Sequence, residues 1–233
     1  MIRLGVSACL LGEKVRYDGQ HKRDDVIAKV FSRVFELVPF CPEVAIGLSV
    51  PRAPIQLYQG EQGVEARGVD DHNFDVTQAL VEYGHEVSRH YAGLSAYIFK
   101  SRSPSCAVTG VRVHALGREP QCEASAGIYA QVLMSQLAPM PCEDESSLHS
   151  VEKRNNFLQR VFFYHQWQLL NRQALTVSAV CRYHERHRYA LVGDKMVACH
   201  RLDELIETLN FGNLHHIAPI YIKTLMAHLK GES

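Results

Sequence analysis

The chain has 233 residues, of which 46% are apolar and 21% are charged, and its formal net charge is zero. These proportions are typical of a soluble globular protein, and no apolar run approaches the roughly 20 residues that a membrane-spanning helix needs. The sequence begins without a basic and apolar signal region. Its seven cysteines are therefore expected to be thiols or metal ligands in the reducing cytoplasm, not disulfides.

Strand and helix patterns alternate through the first part of the chain. This alternation predicts an α/β domain over residues 1–140, built as three layers with a parallel sheet between helices. A segment with prolines and acidic residues, Ala138–Glu145, then predicts a hinge. The predicted elements are strand Ile2–Ser7, helix Val26–Leu37, strand Leu37–Cys41, hairpin Pro54–Val69, helix Phe74–Tyr91, strand Ala96–Lys100 and helix Cys122–Leu137.

Helical periodicity fills the rest of the chain and predicts a smaller all-α domain over residues 146–233. This domain carries 11 Lys and Arg against 7 Asp and Glu, whereas residues 1–145 carry 14 against 18. It also holds 8 of the 13 histidines. A mildly basic, histidine-rich domain is compatible with a polyanionic partner. Its predicted helices are Leu148–Asn171, Thr176–Tyr189, Leu202–Leu209 and Ile217–Leu229.

Three widely separated cysteines, Cys9, Cys41 and Cys106, each follow the carboxyl end of a predicted strand. In parallel α/β folds these ends meet at one edge of the sheet, where ligands bind. No Cys-x-x-Cys pair occurs, although structural zinc sites usually have such pairs. Three thiolates suit a 4Fe–4S cluster that lacks a fourth protein ligand and keeps one iron open to a substrate. The other cysteines, Cys122, Cys142, Cys181 and Cys199, lie in no motif and are expected to be buried thiols.

Charged and hydroxyl side chains flank these cysteines. Glu43 is a candidate general acid or base, because a carboxyl group beside a cluster and away from water can hold a proton. Its alternative role is that of an ordinary helix-start glutamate after proline. Arg52 ends a rigid proline loop and could orient a planar substrate, anchor Glu43 or be purely structural. Further predicted site residues are Arg16, Asp18, Lys100, Arg102, Ser103 and Ser105, for which a surface ion pair or a plain Ser/Pro loop is the alternative.

A basic and histidine-rich stretch lies in the second predicted helix of the all-α domain. His184 and His187 have a spacing that could bind a metal ion, but the remaining ligands are missing. A polar face that contacts nucleic acid, or one whose groups bond within the protein, is the favoured interpretation. The predicted RNA-contacting residues are Arg182, His184, Arg186, His187 and Arg188.

The motifs around the three cysteines together resemble the thiouracil desulfurase family. They read Ser-Ala-Cys9-Leu-Leu-Gly, then Cys41-Pro-Glu with Gly47-Leu-Ser-Val-Pro-Arg52, then Lys100-Ser-Arg-Ser-Pro-Ser-Cys106. The resemblance covers residues 1 to about 140; Ala107 and Ala53 depart from the family's glycine and proline. It implies a 4Fe–4S cluster on the three cysteines whose free iron takes the sulfur of the substrate. It also implies Glu43 as the acid/base group and Ser103 as the substrate-site serine.

The rest of the chain resembles a helical domain of unknown function that is often fused to this desulfurase. The matching stretches include Arg154-Asn-Asn-Phe-Leu-Gln-Arg-Val-Phe162 and Tyr183-His-Glu-Arg-His-Arg188. The two-domain members look like desulfidases that convert 4-thiouridine in tRNA to uridine, with the helical domain holding the RNA. No obligate protein partner and no membrane is expected.

Two alternatives to tRNA desulfuration stay open. The first is salvage of free thiouracil, against which the basic second domain argues. The second is a non-catalytic redox or iron sensor, in which a labile cluster switches an RNA-binding helical domain. Glu43, Ser103 and Arg52 separate a sensor from an enzyme, because a sensor needs no general base beside its cluster.

Overall fold

The computed structural model describes residues 1–61, 63–115, 124–173, 175–188 and 196–231. In chain order the strands are β1 Arg3–Ser7, β2 Glu36–Phe40, β3 Ile55–Gly60, β4 Gly63–Gly68, β5 Ala96–Phe99, β6 Val111–Ala115, β7 Ala124–Ser125 and β8 Cys142–Asp144. The α-helices are α1 Pro42–Ala45, α2 Thr77–His90, α3 Ile128–Gln136, α4 Val151–Arg172, α5 Val177–Arg188, α6 Met196–Glu207 and α7 Leu214–Lys230.

The chain divides into two compact units. The first, or α/β, unit comprises Met1–Leu137 with Cys142–Ser150, and the second, or helical, unit comprises Ala138–Pro141 with Val151–Ser233. All described strands belong to the α/β unit, and α4 to α7 belong to the helical unit. The mixed α/β class with a parallel sheet and a C-terminal helical region is thereby confirmed. Among the described helices, none is long and apolar enough to span a membrane.

The main sheet of the α/β unit has the order β2-β1-β5-β8, and its three pairings are all parallel. All four residues of the inner strand β5 are buried, as expected for a parallel strand that is covered on both faces. In the neighbouring strand, a Cβ on Gly5 would lie 2.3 Å from the ring of Tyr97, so glycine leaves room for that ring. The carboxyl ends of the four strands therefore lie along one edge.

A second sheet has the order β4-β3-β6-β7. The predicted hairpin is confirmed, since β3 and β4 pair antiparallel. Strand β6 pairs with β3 in parallel, which places His114 beside Tyr58. Alternate residues of β3 and β6 point into an apolar core, formed by Ile55, Leu57, Val111 and Val113 with Leu80 and Ile128 from two helices.

Two sequence predictions for the α/β unit are corrected. The predicted helix Val26–Leu37 is a π-helical turn, Val26–Val30, followed by a 3-10 turn, Phe31–Arg33. Its apolar residues are mostly β-branched, and such residues fit an α-helix less well than unbranched ones. The predicted hinge Ala138–Glu145 contains an edge strand, because Cys142–Asp144 pair with β5.

Other boundaries also move. The helix predicted from Cys122 begins at Ile128, and residues 116–123 lie outside the described part of the chain. Helix α6 starts at Met196, six residues before its predicted start, and α7 starts at Leu214, three residues before. The helical unit has its own core, which includes Trp167, Val180, Tyr183, Leu202, Tyr221 and Leu225.

Candidate active site

A cavity of about 680 Å³ opens at the carboxyl edge of the main sheet. Cys9, Cys41 and Cys106 all line it, so three residues that are far apart in sequence meet at one site. The other predicted site residues that line the cavity are Arg16, Glu43, Arg52, Lys100, Arg102 and Ser103. Asp18 and Ser105 do not line it; Asp18 lies beside Arg16, and the Ser105 hydroxyl donates a hydrogen bond to Glu43.

Each cysteine lies on a short irregular segment directly after a strand. Cys9 is in the 3-10 turn Ala8–Leu11, which ends at Gly12 with a φ of 101°. Cys41 is the residue before α1, where Pro42 supplies the fixed φ of a first helical position. Cys106 follows β5 in a tight turn. Tight turns after strands expose side chains to the sheet edge while the strands themselves stay buried.

The three thiols share one electrostatic environment. Burial, and next the proximity of Cys41, raises the pKa of the Cys9 thiol to about 11. Burial also raises the pKa of Cys41, and it raises the pKa of Cys106 well above the ordinary thiol range. Without a bound cation the thiols therefore keep their protons, and a cationic group that binds all three must displace them.

The spacing of the three thiols distinguishes a site for a single metal ion from a site for a cluster. Within the described residues, no three His, Cys, Asp or Glu side chains lie close enough to share one metal ion. In a 4Fe–4S cluster each thiolate binds a different iron, so the ligands are spread more widely than around one ion. Three thiols around one cavity fit such a cluster, and they do not fit a mononuclear zinc site.

Glu43 is held in a fixed orientation at the cavity wall. Its Oε2 accepts hydrogen bonds from Arg52, with Nε at 2.9 Å and Nη2 at 2.8 Å. Its Oε1 accepts a hydrogen bond from the hydroxyl of Ser105 at 2.9 Å. Arg52 also donates to the carbonyl oxygens of Ser49 and Val15, at 3.1 and 2.9 Å. The Glu43–Arg52 pair is largely buried. It therefore fixes the orientation of the carboxylate, whereas an exposed ion pair on the surface would not.

Two serines shape the loop that carries Cys106. The Ser103 oxygen accepts hydrogen bonds from the backbone N–H groups of Ser105 and Cys106, at 3.3 and 3.1 Å. Ser7 accepts a hydrogen bond from the Lys100 N–H at 2.9 Å, and it also hydrogen-bonds the Cys106 sulfur. Ser103 lines the cavity, so its own O–H can still be donated to a bound group.

Helix α3 supports this loop from behind. The Ile128 and Ala130 N–H groups of its first turn donate to the carbonyl oxygens of Pro104 and Ser105, at 3.0 and 3.1 Å. The approach is so close that a Cβ on Gly127 would lie 2.4 Å from the Ser105 carbonyl carbon. The loop is therefore fixed by backbone contacts that only glycine permits at residue 127.

Gly127→Ala is expected to destabilise the α/β unit and to reduce its iron content. The added methyl group meets backbone atoms, which cannot rotate away, so α3 or the Cys106 loop must shift. Overpacking of this kind typically costs about 1–3 kcal/mol in the free energy of unfolding. Thermal denaturation and an iron assay measure the effect, with Ser125→Ala as the control in the same segment. Wild-type values for both quantities in Gly127→Ala would refute this account of the loop.

Sequence reasoning missed Glu145, which it placed in a hinge. The Glu145 carboxylate bonds to Lys100 Nζ, to the Ser101 hydroxyl at 2.7 Å and to the Ser101 N–H at 2.6 Å. Its own N–H donates to the Phe99 carbonyl at 3.2 Å. The side chains of Lys100 and Glu145 are both largely buried. Glu145 thus anchors the start of the Cys106 loop from the position directly after the edge strand β8.

The remaining predicted residues have less regular surroundings. Arg16 lies 3.5 Å from Asp18 through its Nε, and this nitrogen is buried without a hydrogen-bond partner in the described structure. The Asp18 carboxylate accepts a hydrogen bond from the Gln20 N–H, which lowers its pKa. Arg102 has a φ of 58°, a left-handed conformation that non-glycine residues rarely adopt.

The second sheet supplies a cavity wall that the sequence analysis did not predict. Gln56, Arg112 and His114 line the cavity from β3 and β6. The alternation Val-Arg-Val-His over residues 111–114 is a strand signal, and its recognition would have placed Arg112 and His114 on one face.

Two of the predicted RNA-contacting residues are corrected to core positions. His184 is 5% exposed and lies between the Tyr221 hydroxyl, at 3.1 Å, and the Asp203 carboxylate, at 2.9 Å. His187 is equally buried and its Nε2 lies 2.8 Å from the Gln166 side-chain oxygen. Neither imidazole is available to a phosphate. Of the arginines, Arg188 is exposed but pairs with Asp203, and Arg182 and Arg186 are exposed.

Comparisons with known proteins include the following matches. The model of the 2-thiouracil desulfurase family matches residues 4–145. The uncharacterized protein YbbK of Bacillus subtilis (strain 168) is 35% identical over 108 residues, an alignment that covers 43% of this chain and 70% of YbbK. The solved structure of the 4Fe–4S-dependent thiouracil desulfidase TudS is 29% identical, with a TM-score of 0.48; the match covers 66% of this chain and 98% of TudS.

The α/β unit is thus an enzyme domain that removes sulfur from thiouracil, and it is called the catalytic unit from here on. The chain belongs to the 2-thiouracil desulfurase family, because the family model matches more than half of it. The matched region spans all three cysteine motifs, Glu43 and the anchoring residue Glu145. The resemblance that the sequence motifs indicated is confirmed.

Proposed function

We propose that this chain hydrolyses the carbon–sulfur bond of thiolated uracil, with 4-thiouridine in tRNA as its substrate, at a 4Fe–4S cluster held by Cys9, Cys41 and Cys106. The observation that carries the proposal is that the three thiols and the anchored Glu43 carboxylate line one cavity. In the overall reaction water supplies the new oxygen and the sulfur leaves as sulfide. No external electron donor is needed.

The site residues have distinct roles in this proposal. When bound, a cluster with three protein ligands supplies an iron with an open position, which acts as a Lewis acid towards a soft thiocarbonyl sulfur. Glu43, oriented by Arg52 and Ser105, takes a proton from the attacking water and returns it to a leaving or ring atom. Ser103 donates its O–H to a polar atom of the uracil ring.

The charge of the helical unit supports the proposal that the thiolated base is part of an RNA. Its positive balance of Lys and Arg over Asp and Glu is opposite to that of the catalytic unit. Arg182 and Arg186 lie one helical turn apart on α5 and are both exposed, so they present two cations on one face. Contacts of this kind bind phosphates and fix position without reading sequence.

The double variant Arg182→Ala/Arg186→Ala is expected to lose activity on thiolated tRNA and to keep it on the 4-thiouridine nucleoside. For this variant, the slope of the logarithm of the tRNA binding constant against the logarithm of the salt concentration should become less steep by about two. The reason is that roughly one counterion is released for each phosphate that the protein neutralises. Parallel turnover on both substrates, with binding titrations at several salt concentrations, measures this split.

A charge-matched control is Arg33→Ala/Arg89→Ala, which removes two exposed cations from the catalytic unit. It should leave the tRNA-to-nucleoside ratio unchanged. If the wild-type protein turned over the free base and no tRNA, the result would favour salvage of free thiouracil. The family match ends at residue 145, so it does not include most of the helical unit that is proposed to bind RNA. A protein that binds iron but turns over neither substrate would favour the sensor.

A further inference from the structure

The helical unit contains a cavity of its own, of about 290 Å³. It lies where α4 ends and α7 begins, and it is separate from the cavity that holds the three cysteines. Small-molecule sites usually occupy roughly 300–1,000 Å³, so this one suits a single ring system. Its lining residues that carry aromatic or polar side chains are Tyr164, Trp167, Gln168, Asn171 and His215.

The cavity combines flat apolar surface with groups that can donate and accept hydrogen bonds. Trp167 and Tyr164 supply aromatic walls, and Asn171 and His215 are exposed to solvent at its rim. Pro219 also lines the cavity and stands inside α7. In an α-helix the carbonyl oxygen of residue 215 would accept a hydrogen bond from the N–H of residue 219, and proline has no N–H. The His215 carbonyl oxygen can therefore accept a hydrogen bond from a group in the cavity.

A nearby loop presents an aromatic side chain to solvent. Phe211 is 91% exposed in the turn between α6 and α7. The turn is held by its two asparagines: Asn210 Oδ1 accepts from the Gly212 N–H at 2.9 Å, and Asn213 Oδ1 accepts from the Asn210 N–H at 2.8 Å. Phe211 is four residues from His215, so their Cα atoms are at most about 14 Å apart. Phe211 is therefore an exposed aromatic residue on a hydrogen-bonded turn, and its Cα lies within about 14 Å of the Cα of a residue that lines the cavity.

We propose that this end of the helical unit binds unpaired nucleobases of the RNA substrate. One base enters the cavity, where Asn171 and His215 bond to its edge, and Phe211 stacks on an adjacent base. Sequence-specific RNA recognition generally uses unstacked bases in this way, with aromatic stacking and hydrogen bonds to base edges. This inference rests on the proposed function and adds base contacts to the phosphate contacts of α5.

The test uses the full-length protein and a tRNA that lacks 4-thiouridine, so that binding is measured apart from the reaction. Phe211→Ala, Asn171→Ala and His215→Ala are each expected to bind this tRNA about tenfold more weakly, the size of effect typical of a lost base contact. Their salt dependence should equal that of the wild type, because bases carry no counterions. Phe211→Tyr, which keeps the aromatic face, should bind like the wild type.

Matched controls are His216→Ala, Asn155→Ala and Phe162→Ala, which alter exposed residues outside the cavity and should leave tRNA binding unchanged. All these variants should keep wild-type turnover on the 4-thiouridine nucleoside. Wild-type affinity in the cavity variants, a reduced salt dependence, or a parallel loss of nucleoside turnover would each overturn the base site. Failure of the wild-type protein to bind any tRNA would overturn the proposed RNA substrate as well, which distinguishes the two failures.

Discussion

Replacing any one of Cys9, Cys41 and Cys106 with alanine is expected to abolish iron incorporation and desulfuration together. Each variant leaves two thiols at a site that already has one ligand fewer than an ordinary 4Fe–4S centre. Two thiolates should not hold a four-iron cluster. Anaerobic purification followed by iron and sulfide assays, a visible absorption spectrum and turnover on 4-thiouridine measures the loss.

Cys142→Ala is the matched control. Cys142 is also a buried thiol of the catalytic unit, but it does not line the cavity. Its replacement should leave the iron content unchanged and cost only the stability of a small buried group. Circular dichroism checks that the three ligand variants remain folded. Full iron content and turnover in Cys9→Ala would show that the cluster assignment is wrong.

Glu43→Gln is expected to keep the cluster and to lose about 10²–10⁴-fold in turnover, the usual contribution of a general acid or base. Glutamine keeps the shape of the side chain and can still accept a hydrogen bond from Arg52 or Ser105, but it cannot take a proton from water. The loss should lie in kcat, with the iron content and absorption spectrum of the wild type.

Glu65→Gln provides the control for this carboxylate. Glu65 is a partly buried glutamate that pairs with Arg67 at 2.8 Å in the same unit, away from the cavity. Its replacement should break a comparable ion pair and leave turnover unchanged. If Glu43→Gln lost iron while its remaining clusters turned over normally, Glu43 would support the cluster and would not carry protons.

The meeting of the three cysteines could be predicted from the sequence because it depends on a rule of topology. Parallel strands carry their carboxyl ends to one edge, so any residue that follows such a strand arrives there. Cys9, Cys41 and Cys106 satisfied that rule whatever the details of packing. The motif containing Glu43 and Arg52 was also local, with the cation nine positions after the carboxylate that it holds.

Contacts that join distant segments could not be predicted in the same way. Glu145 reaches Ser101 across 44 residues, and the strand before it has three residues in a segment that has the composition of a linker. The second sheet was incomplete in the prediction for two reasons: the alternation in β6 was overlooked, and β7 has two residues, too few to show a pattern. No local pattern says which very short segment will complete a sheet edge.

The buried histidines show a signal that was present and misinterpreted. Val180, Tyr183, His184 and His187 follow the i, i+3, i+4, i+7 spacing of one helix face. Since Val180 and Tyr183 are apolar, that face turns to the core and takes the histidines with it. Their polar atoms find partners in Tyr221, Asp203 and Gln166.

The order of the two units along the sequence has a consequence for biosynthesis. The catalytic unit is interrupted after Leu137, continues at Cys142 and ends at Ser150. While the ribosome is still adding residues before 145, the parallel sheet lacks β8 and Lys100 lacks its carboxylate partner. The loop that presents Cys106 is thus completed only after all three cysteines have been made. Assembly of a cluster on a finished site must wait for that late segment to emerge.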